Sequence, residues 1–345
     1  MYVLELGGEN DAFAAREAAT AASDVEIIAP GLATASEVTD RVRTLAYTHR
    51  AAELVGTCES AVDAAVALLR DGRQEFASVD LGDPGSVRVR AVDVRGESGV
   101  NTQAAERALG QVLVDRGFGV DLEAPDHELR ALFSADTCAL GWLAAESVRD
   151  FGDRQPTERP FFQPGSMGPL LARALANLAG ARPGAVVLDP MCGTGGILIE
   201  AGLVGARAVG VDVQGRMVRG SRENLVHFLN GAKASVSGST EQTALPETVP
   251  WGLARGDARS VPIRDGAVDG VVFDVPYGRQ SKITGDLDAL VEGALREAAR
   301  VADRCVVVGD RPWARIAHDA GWTSEAAFHR RVHRSLTRHV LVLDR

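Results

Sequence analysis

Lysine is almost missing from this chain: Lys233 and Lys282 are the two in 345 residues. No lysine therefore follows its glycine turns in the Lys-Ser/Thr step of a phosphate-binding P-loop, which excludes that motif. Cysteine is scarce too. Cys58, Cys138, Cys192 and Cys305 lie far apart with no CxxC pair, which argues against a zinc ribbon or a disulfide framework and fits a reducing cytosol. No apolar run reaches ~18 residues, and Met1 to Glu9 lacks a basic leader, so neither a transmembrane span nor a signal peptide is expected. The expected location is cytoplasmic.

The 46% hydrophobic and 24% charged content is that of a folded protein, and the length favours two domains. The net charge of −10 argues at first against a nucleic-acid partner. Its distribution changes that reading. Residues 1–157 carry 14 Arg against 27 Asp and Glu, net −13, whereas residues 158–345 carry 23 Lys and Arg against 20 acids, net +3. Acid excess with so little lysine fits either adaptation to high salt or an arginine-favouring GC-rich genome.

The first 150 residues read as short strands interleaved with helices, an α+β pattern. Strands are expected at Tyr2–Leu6, Val25–Ala29, Val42–Ala46, Phe76–Leu81, Val87–Val94, Val120–Leu122, Glu128–Phe133 and Thr137–Leu143. Helices are expected over 10–22, 60–70 and 101–116, with Asn10, Ser60 and Asn101 at their starts. Two small α+β units are expected from this pattern. Residues 149–160, with Gly152, Pro156 and Pro160, have linker composition. From Val186 the pattern becomes β-α-β-α and finishes in an expected hairpin of Ser324–Val332 with Ser335–Leu343, which gives an α/β domain over 161–345. Stretch 231–250 is weakly patterned and reads as a flexible insertion.

Two stretches carry chemistry. Val186-Val187-Leu188-Asp189 is an apolar run that opens into Pro190-Met191-Cys192-Gly193-Thr194-Gly195-Gly196 and then an apolar helix, so it reads as strand, glycine turn and helix N-terminus. Asp212 ends the next strand 23 residues after Asp189, where an acid reaches a ribose diol, and Asp257 follows the third strand position, where it could accept from an adenine amine. An adenosine ligand without a pyrophosphate fits better than a dinucleotide, because the glycine spacing is not GxGxxG. The second stretch, Asp274-Val275-Pro276-Tyr277, ends another apolar run. A carboxylate and a proline-aimed carbonyl match the two hydrogens of an exocyclic amine, and Tyr277 offers a stacking face. A structural reading remains open for each motif: a capped helix for the acids, an ordinary proline turn for the second.

Together, Asp189–Gly196 and Asp274-Val275-Pro276-Tyr277-Gly278-Arg279 resemble class I S-adenosylmethionine methyltransferases that act on exocyclic amino groups. Arg159-Pro160-Phe161-Phe162-Gln163-Pro164-Gly165-Ser166-Met167, His333-Arg334-Ser335-Leu336-Thr337-Arg338 and Leu45-Ala46-Tyr47-Thr48-His49-Arg50 extend the likeness. It is closest to the THUMP-domain tRNA guanine-N2 methyltransferases, whose archaeal members dimethylate guanosine 10. The resemblance implies a doubly wound, mostly parallel seven-stranded sheet ending in an antiparallel hairpin, preceded by a ferredoxin-like unit (1–58) and a THUMP-like RNA-binding unit (59–148). It implies S-adenosyl-L-methionine bound by Asp189, Gly193, Thr194, Gly195, Asp212, Asp257, Phe162 and Met167, with Asp274, Pro276 and Tyr277 catalytic and no metal. Val275 departs from the usual Asp-Pro-Pro-Tyr.

The implied reaction is methyl transfer to guanine N2 of tRNA, once or twice, by a monomer. Arg330, Arg331, Arg334 and Arg338 are the expected RNA contacts, on alternate faces of the final hairpin. Near molar salt, shape and stacking would outweigh phosphate attraction. Alternatives are guanine-N2 methylation at another tRNA or rRNA position, adenine-N6 methylation of DNA, and a non-catalytic nucleotide-binding module; a Rossmann dehydrogenase fits least.

Overall fold

A computed structural model of the chain describes residues 1–71, 85–230, 250–276, 286–333 and 336–345. The chain divides into two compact units, Met1–Val148 and Arg149–Arg345. The expected strand Phe76–Leu81 lies outside the described residues, as does the insertion apart from Pro250.

Among the described residues the first unit is built on one eight-stranded sheet. Its spine is Thr48–Glu59, a 12-residue strand that pairs antiparallel with both Tyr2–Leu6 and Thr137–Glu146. The expected boundary at 58/59 falls inside this strand, so the two expected N-terminal pieces share a sheet. The strand expected at Val42–Ala46 is instead a 3-10 turn, Asp40–Thr44, followed by Leu45 and Ala46, both fully buried. Helices Val62–Asp71 and Thr102–Val114 lay Leu69, Leu109 and Leu113 over Leu129, Phe133 and Trp142. Asn101 caps the second helix, accepting from Ala104 N at 3.0 Å, and Asn10 caps Asp11–Ala18 by accepting from Phe13 N at 2.9 Å. A charge ladder also crosses the sheet: Glu146, Arg50, Glu5, Arg130, Glu128 and Arg88 are linked in turn.

The second unit has a seven-stranded sheet. In chain order its strands are Val186–Asp189, Arg207–Asp212, Trp251–Arg255, Gly270–Asp274, Arg304–Gly309, Thr323–His333 and Leu336–Asp344. Their spatial order is third, second, first, fourth, fifth, seventh, sixth. The first five are parallel and the seventh is antiparallel to the fifth. This is the doubly wound, mostly parallel seven-stranded sheet with a final antiparallel hairpin that the resemblance implies. The central strands are buried on both faces and accordingly apolar and β-branched, as in Val271-Val272-Phe273 and Val306-Val307-Val308. The chain reverses direction across the sheet between its first and fourth strands, and ligands bind outside the carboxyl ends at such a switch point.

Candidate active site

The turn after the first strand is held by its own backbone donors. Met191 N donates to Asp189 Oδ1 at 3.0 Å, Cys192 N to the Val211 carbonyl at 3.0 Å, and Gly193 N to Asp212 Oδ2 at 3.0 Å. Asp212 Oδ1 also accepts from Gln214 N at 2.8 Å, so this carboxylate ties two strand-end loops together. Gly195 has φ 77°, and a Cβ there would stand 2.3 Å from Ser221 Oγ. Glycine is required both by the left-handed backbone and by the close approach of helix Gly215–Leu225. Helix Gly196–Leu203 starts immediately afterwards.

Burial pushes the Asp189 carboxyl well above its ordinary range, and Asp212 and Asp274 add to the rise. Burial also raises Asp212, against the backbone N–H groups of Gln214 and Gly193. Burial, then Asp189 and Asp212, push the Cys192 thiol up, so it is a poor nucleophile at neutral pH. Carboxyl groups that resist ionisation because negative charge is crowded in low dielectric favour a cationic ligand.

The second turn leaves the neighbouring strand. Leu188 is the register partner of Val271, so the strands ending at Asp189 and Asp274 lie side by side and both open at the carboxyl edge. The influence of Asp274 on Asp189 is the electrostatic expression of that proximity. Val275 accounts for its own departure from the usual motif: its side chain is buried and its N–H donates to the Val308 carbonyl at 2.8 Å, a bond that proline cannot make. Pro276 is half-buried. Tyr277 lies outside the described residues.

The RMKL-like methyltransferase domain matches residues 156–339. A tRNA (guanine(10)-N2)-dimethyltransferase of Methanothermobacter thermautotrophicus is 35% identical over 312 residues, 87% of this chain and 83% of that protein. The chain belongs to the tRNA (guanine(10)-N2)-dimethyltransferase family. Proteins of the same name from Pyrococcus abyssi and Methanocaldococcus jannaschii are 28% and 30% identical, over 69% and 62% of this chain and 68% and 59% of their own lengths.

Other residues expected from the family likeness are placed unevenly. Thr194 is buried, its Oγ1 3.2 Å from Ser166 Oγ, and Met167 is buried with its carbonyl accepting from Arg159 at 2.9 Å. Phe162 is 43% exposed. The neighbouring Phe161 takes the packed position, its ring filling the space where Gly220 has no Cβ. Both Asp257 oxygens bind the Arg259 guanidinium, and that bond is the main reason its carboxyl is lowered. An adenine amine would have to share those oxygens with Arg259.

The arginines of the hairpin need correction. Arg338 is buried, and its guanidinium stands 3.8 Å from Asp274 Oδ2, so it lies against the candidate acceptor carboxylate and not on an exposed face. A bulge between Arg331 and His333 breaks the alternation on which the surface assignment relied. Arg330 faces Arg338 across the strands, Arg331 is exposed, and Arg334 lies outside the described residues.

Two site-supporting residues escaped sequence reasoning. Asn224 is fully buried; its Nδ2 donates to the carbonyls of Phe161 and Thr194, each at 2.9 Å, and its Oδ1 accepts from Phe161 N at 2.8 Å. Glu200, on the helix after the glycine turn, is fully buried between Arg154 and Arg173 at 2.7 Å each. The available signal was a polar residue on the apolar face of a helix. It is visible once the register of Gly215–Leu225 and Gly196–Leu203 is known.

Proposed function

We propose that this chain transfers methyl groups from S-adenosyl-L-methionine to the exocyclic N2 of guanosine in tRNA, at position 10 and twice in succession. The observation that carries the reading is the side-by-side placement of Asp189 and Asp274 at one carboxyl edge, in a site whose crowded carboxyls favour a cation. The names of the relatives support the choice of guanine N2 and of tRNA.

The residues present fit a sulfonium ligand with an adenosine part. When bound, S-adenosylmethionine supplies a methyl group on a positively charged sulfur that leaves readily. Asp189, Gly193, Thr194 and Gly195 hold its amino-acid end, and each Asp212 oxygen keeps a lone pair for a ribose hydroxyl beside the backbone N–H it already accepts. Asp274 and the carbonyl ahead of Pro276 accept the two hydrogens of the amine and direct its lone pair toward the glycine turn. Tyr277 is the residue to which the family likeness assigns stacking on the base. Such positioning accounts for about 7–11 kcal/mol of barrier lowering where near-attack geometry is good. Transfer leaves S-adenosylhomocysteine and a methylated nitrogen that gives up one proton, to the Asp274 carboxylate and on to water; a single N–H then remains for Asp274, so a second round stays chemically open. The guanine leaves its stack to present N2.

In this reading residues 1–148, with ferredoxin-like and THUMP-like parts joined through one sheet, are an RNA-binding half, and the protein works as a cytoplasmic monomer on tRNA. Among the described residues no helix is long and apolar enough to cross a membrane. The test is incubation with unmodified tRNA transcripts and methyl-labelled S-adenosylmethionine, followed by nucleoside mapping. The reading expects dimethylguanosine at position 10, with transfer abolished by Asp274→Ala. Label on adenine, or none, would refute it.

A further inference from the structure

Helix Gly215–Leu225 begins three residues after Asp212 and carries Arg216, Arg219 and Arg222, all exposed. Residues three apart step back by about 60° around a helix, so these side chains form a drifting stripe on the solvent side. Arg255 ends the neighbouring strand as the register partner of Asp212, and its Nε donates to the Val213 carbonyl at 3.0 Å. Above Gly215, Arg219 Nη1 and Arg255 Cδ come within 3.5 and 3.8 Å of the point a Cβ would occupy. Arginines are therefore gathered at this place.

Among the described residues none of the four has an acidic partner within ion-pair distance, although the chain holds 47 Asp and Glu against 37 Lys and Arg. Elsewhere in the same unit Arg182, Arg259, Arg296, Arg300 and Arg304 are each matched with a carboxylate. Leaving like charges together unneutralised costs free energy in the free protein, and a polyanion removes that cost. The patch also carries flat apolar surface: Arg216 lies 5.5 Å over the Phe161 ring, and Phe162 and Val213 are 43% and 62% exposed. Planar guanidinium groups grip phosphate in a fork, and exposed rings accept bases.

We propose that the exposed face of helix Gly215–Leu225, together with Arg255, holds the phosphate backbone of the tRNA next to the cofactor end of the site. This rests on the functional reading above and moves the main phosphate contact of the second unit from the final hairpin to this helix. The backbone is gripped beside Asp212, on the side of the sheet's switch point opposite to Asp274. A base rotated out of the strand would then reach Asp274 across the cofactor loop.

The test is binding of the full-length chain to an unmodified tRNA transcript over a salt series, comparing wild type with the double variant Arg219→Gln/Arg222→Gln. The expected result is weaker binding and a slope of log affinity against log salt shallower by about 2, about 1 for each lost phosphate contact. Affinity for S-adenosylhomocysteine stays unchanged. Arg219→Lys/Arg222→Lys keeps the charge and so keeps the wild-type slope. A Gln variant with the wild-type slope and affinity would overturn the surface. A wild-type protein that binds S-adenosylhomocysteine but no tRNA at any salt would overturn the functional reading, and the surface with it.

Discussion

Asp189 shows how a residue is made unfavourable for the empty protein and useful to the loaded one. Its carboxyl is raised by burial, then by Asp212 and Asp274. A carboxyl whose value is higher folded than unfolded stabilises the fold in its protonated form. That contribution is complete below the unfolded value of 3.8 and is lost as pH rises through the raised folded value. At neutral pH, Asp189→Asn is therefore expected to raise the melting temperature by a few degrees, since the amide oxygen can still accept from Met191 N. The same change weakens S-adenosylhomocysteine by roughly tenfold or more, the scale of a lost charge-assisted hydrogen bond. Calorimetry with and without ligand reads both effects.

Arg338 makes a second prediction. It is buried and stands 3.8 Å from the Asp274 carboxylate. In Arg338→Gln the rate of methyl transfer should fall while affinity for S-adenosylhomocysteine holds, with Arg338→Lys returning part of the way. A rate that stayed put would remove Arg338 from the reaction. Sequence alone put this residue with the arginine-rich run of the hairpin, and its burial follows from pairing: its strand lies between Arg304–Gly309 and Thr323–His333. By contrast, Asp189, Asp212 and Asp274 were legible as strand-end acids, since each closes an apolar run.

At the scale of elements, the glycine turn and its helix were readable for a simple reason. Gly195 is demanded by a positive φ and by Ser221, and Val186–Leu188 has no reading other than a buried strand. Thr48–Glu59 was not readable. Its Ala, Arg, Glu and Gly residues have weak strand propensity, and the strand exists because Tyr2–Leu6 and Thr137–Glu146 flank it. The helix Gly196–Leu203 hides a second element-scale feature, Glu200 between Arg154 and Arg173. Removing the anion leaves two guanidinium groups buried without it. Glu200→Gln is expected to destabilise the unit by about 3–5 kcal/mol in urea unfolding. A loss below 1 kcal/mol would mean that the arginines find water when the anion is gone.

For the whole molecule, the acid balance sits mostly in residues 1–157, and part of it is structural. Burial raises Glu5, but the His49 hydrogen bond and the Arg130 and Arg50 charges outweigh it and hold the carboxyl at about 2 instead of 4.5. A lowered carboxyl stabilises the fold above its unfolded value, and the contribution disappears as pH falls from 4.5 through 2. The first unit should therefore lose its sheet signal by circular dichroism across that range, and Glu5→Gln should lose stability at neutral pH while flattening the acid transition. The second unit brings the chemistry to one edge of one sheet, where the strands ending at Asp189 and Asp274 are neighbours. The most direct measurement of that claim is a crystal structure of the chain with S-adenosylhomocysteine. The account predicts the ligand's sulfur between the glycine turn at 193–195 and the Asp274 carboxylate, with the ribose hydroxyls on Asp212. A ligand bound elsewhere, or with its sulfur turned away from Asp274, would contradict it.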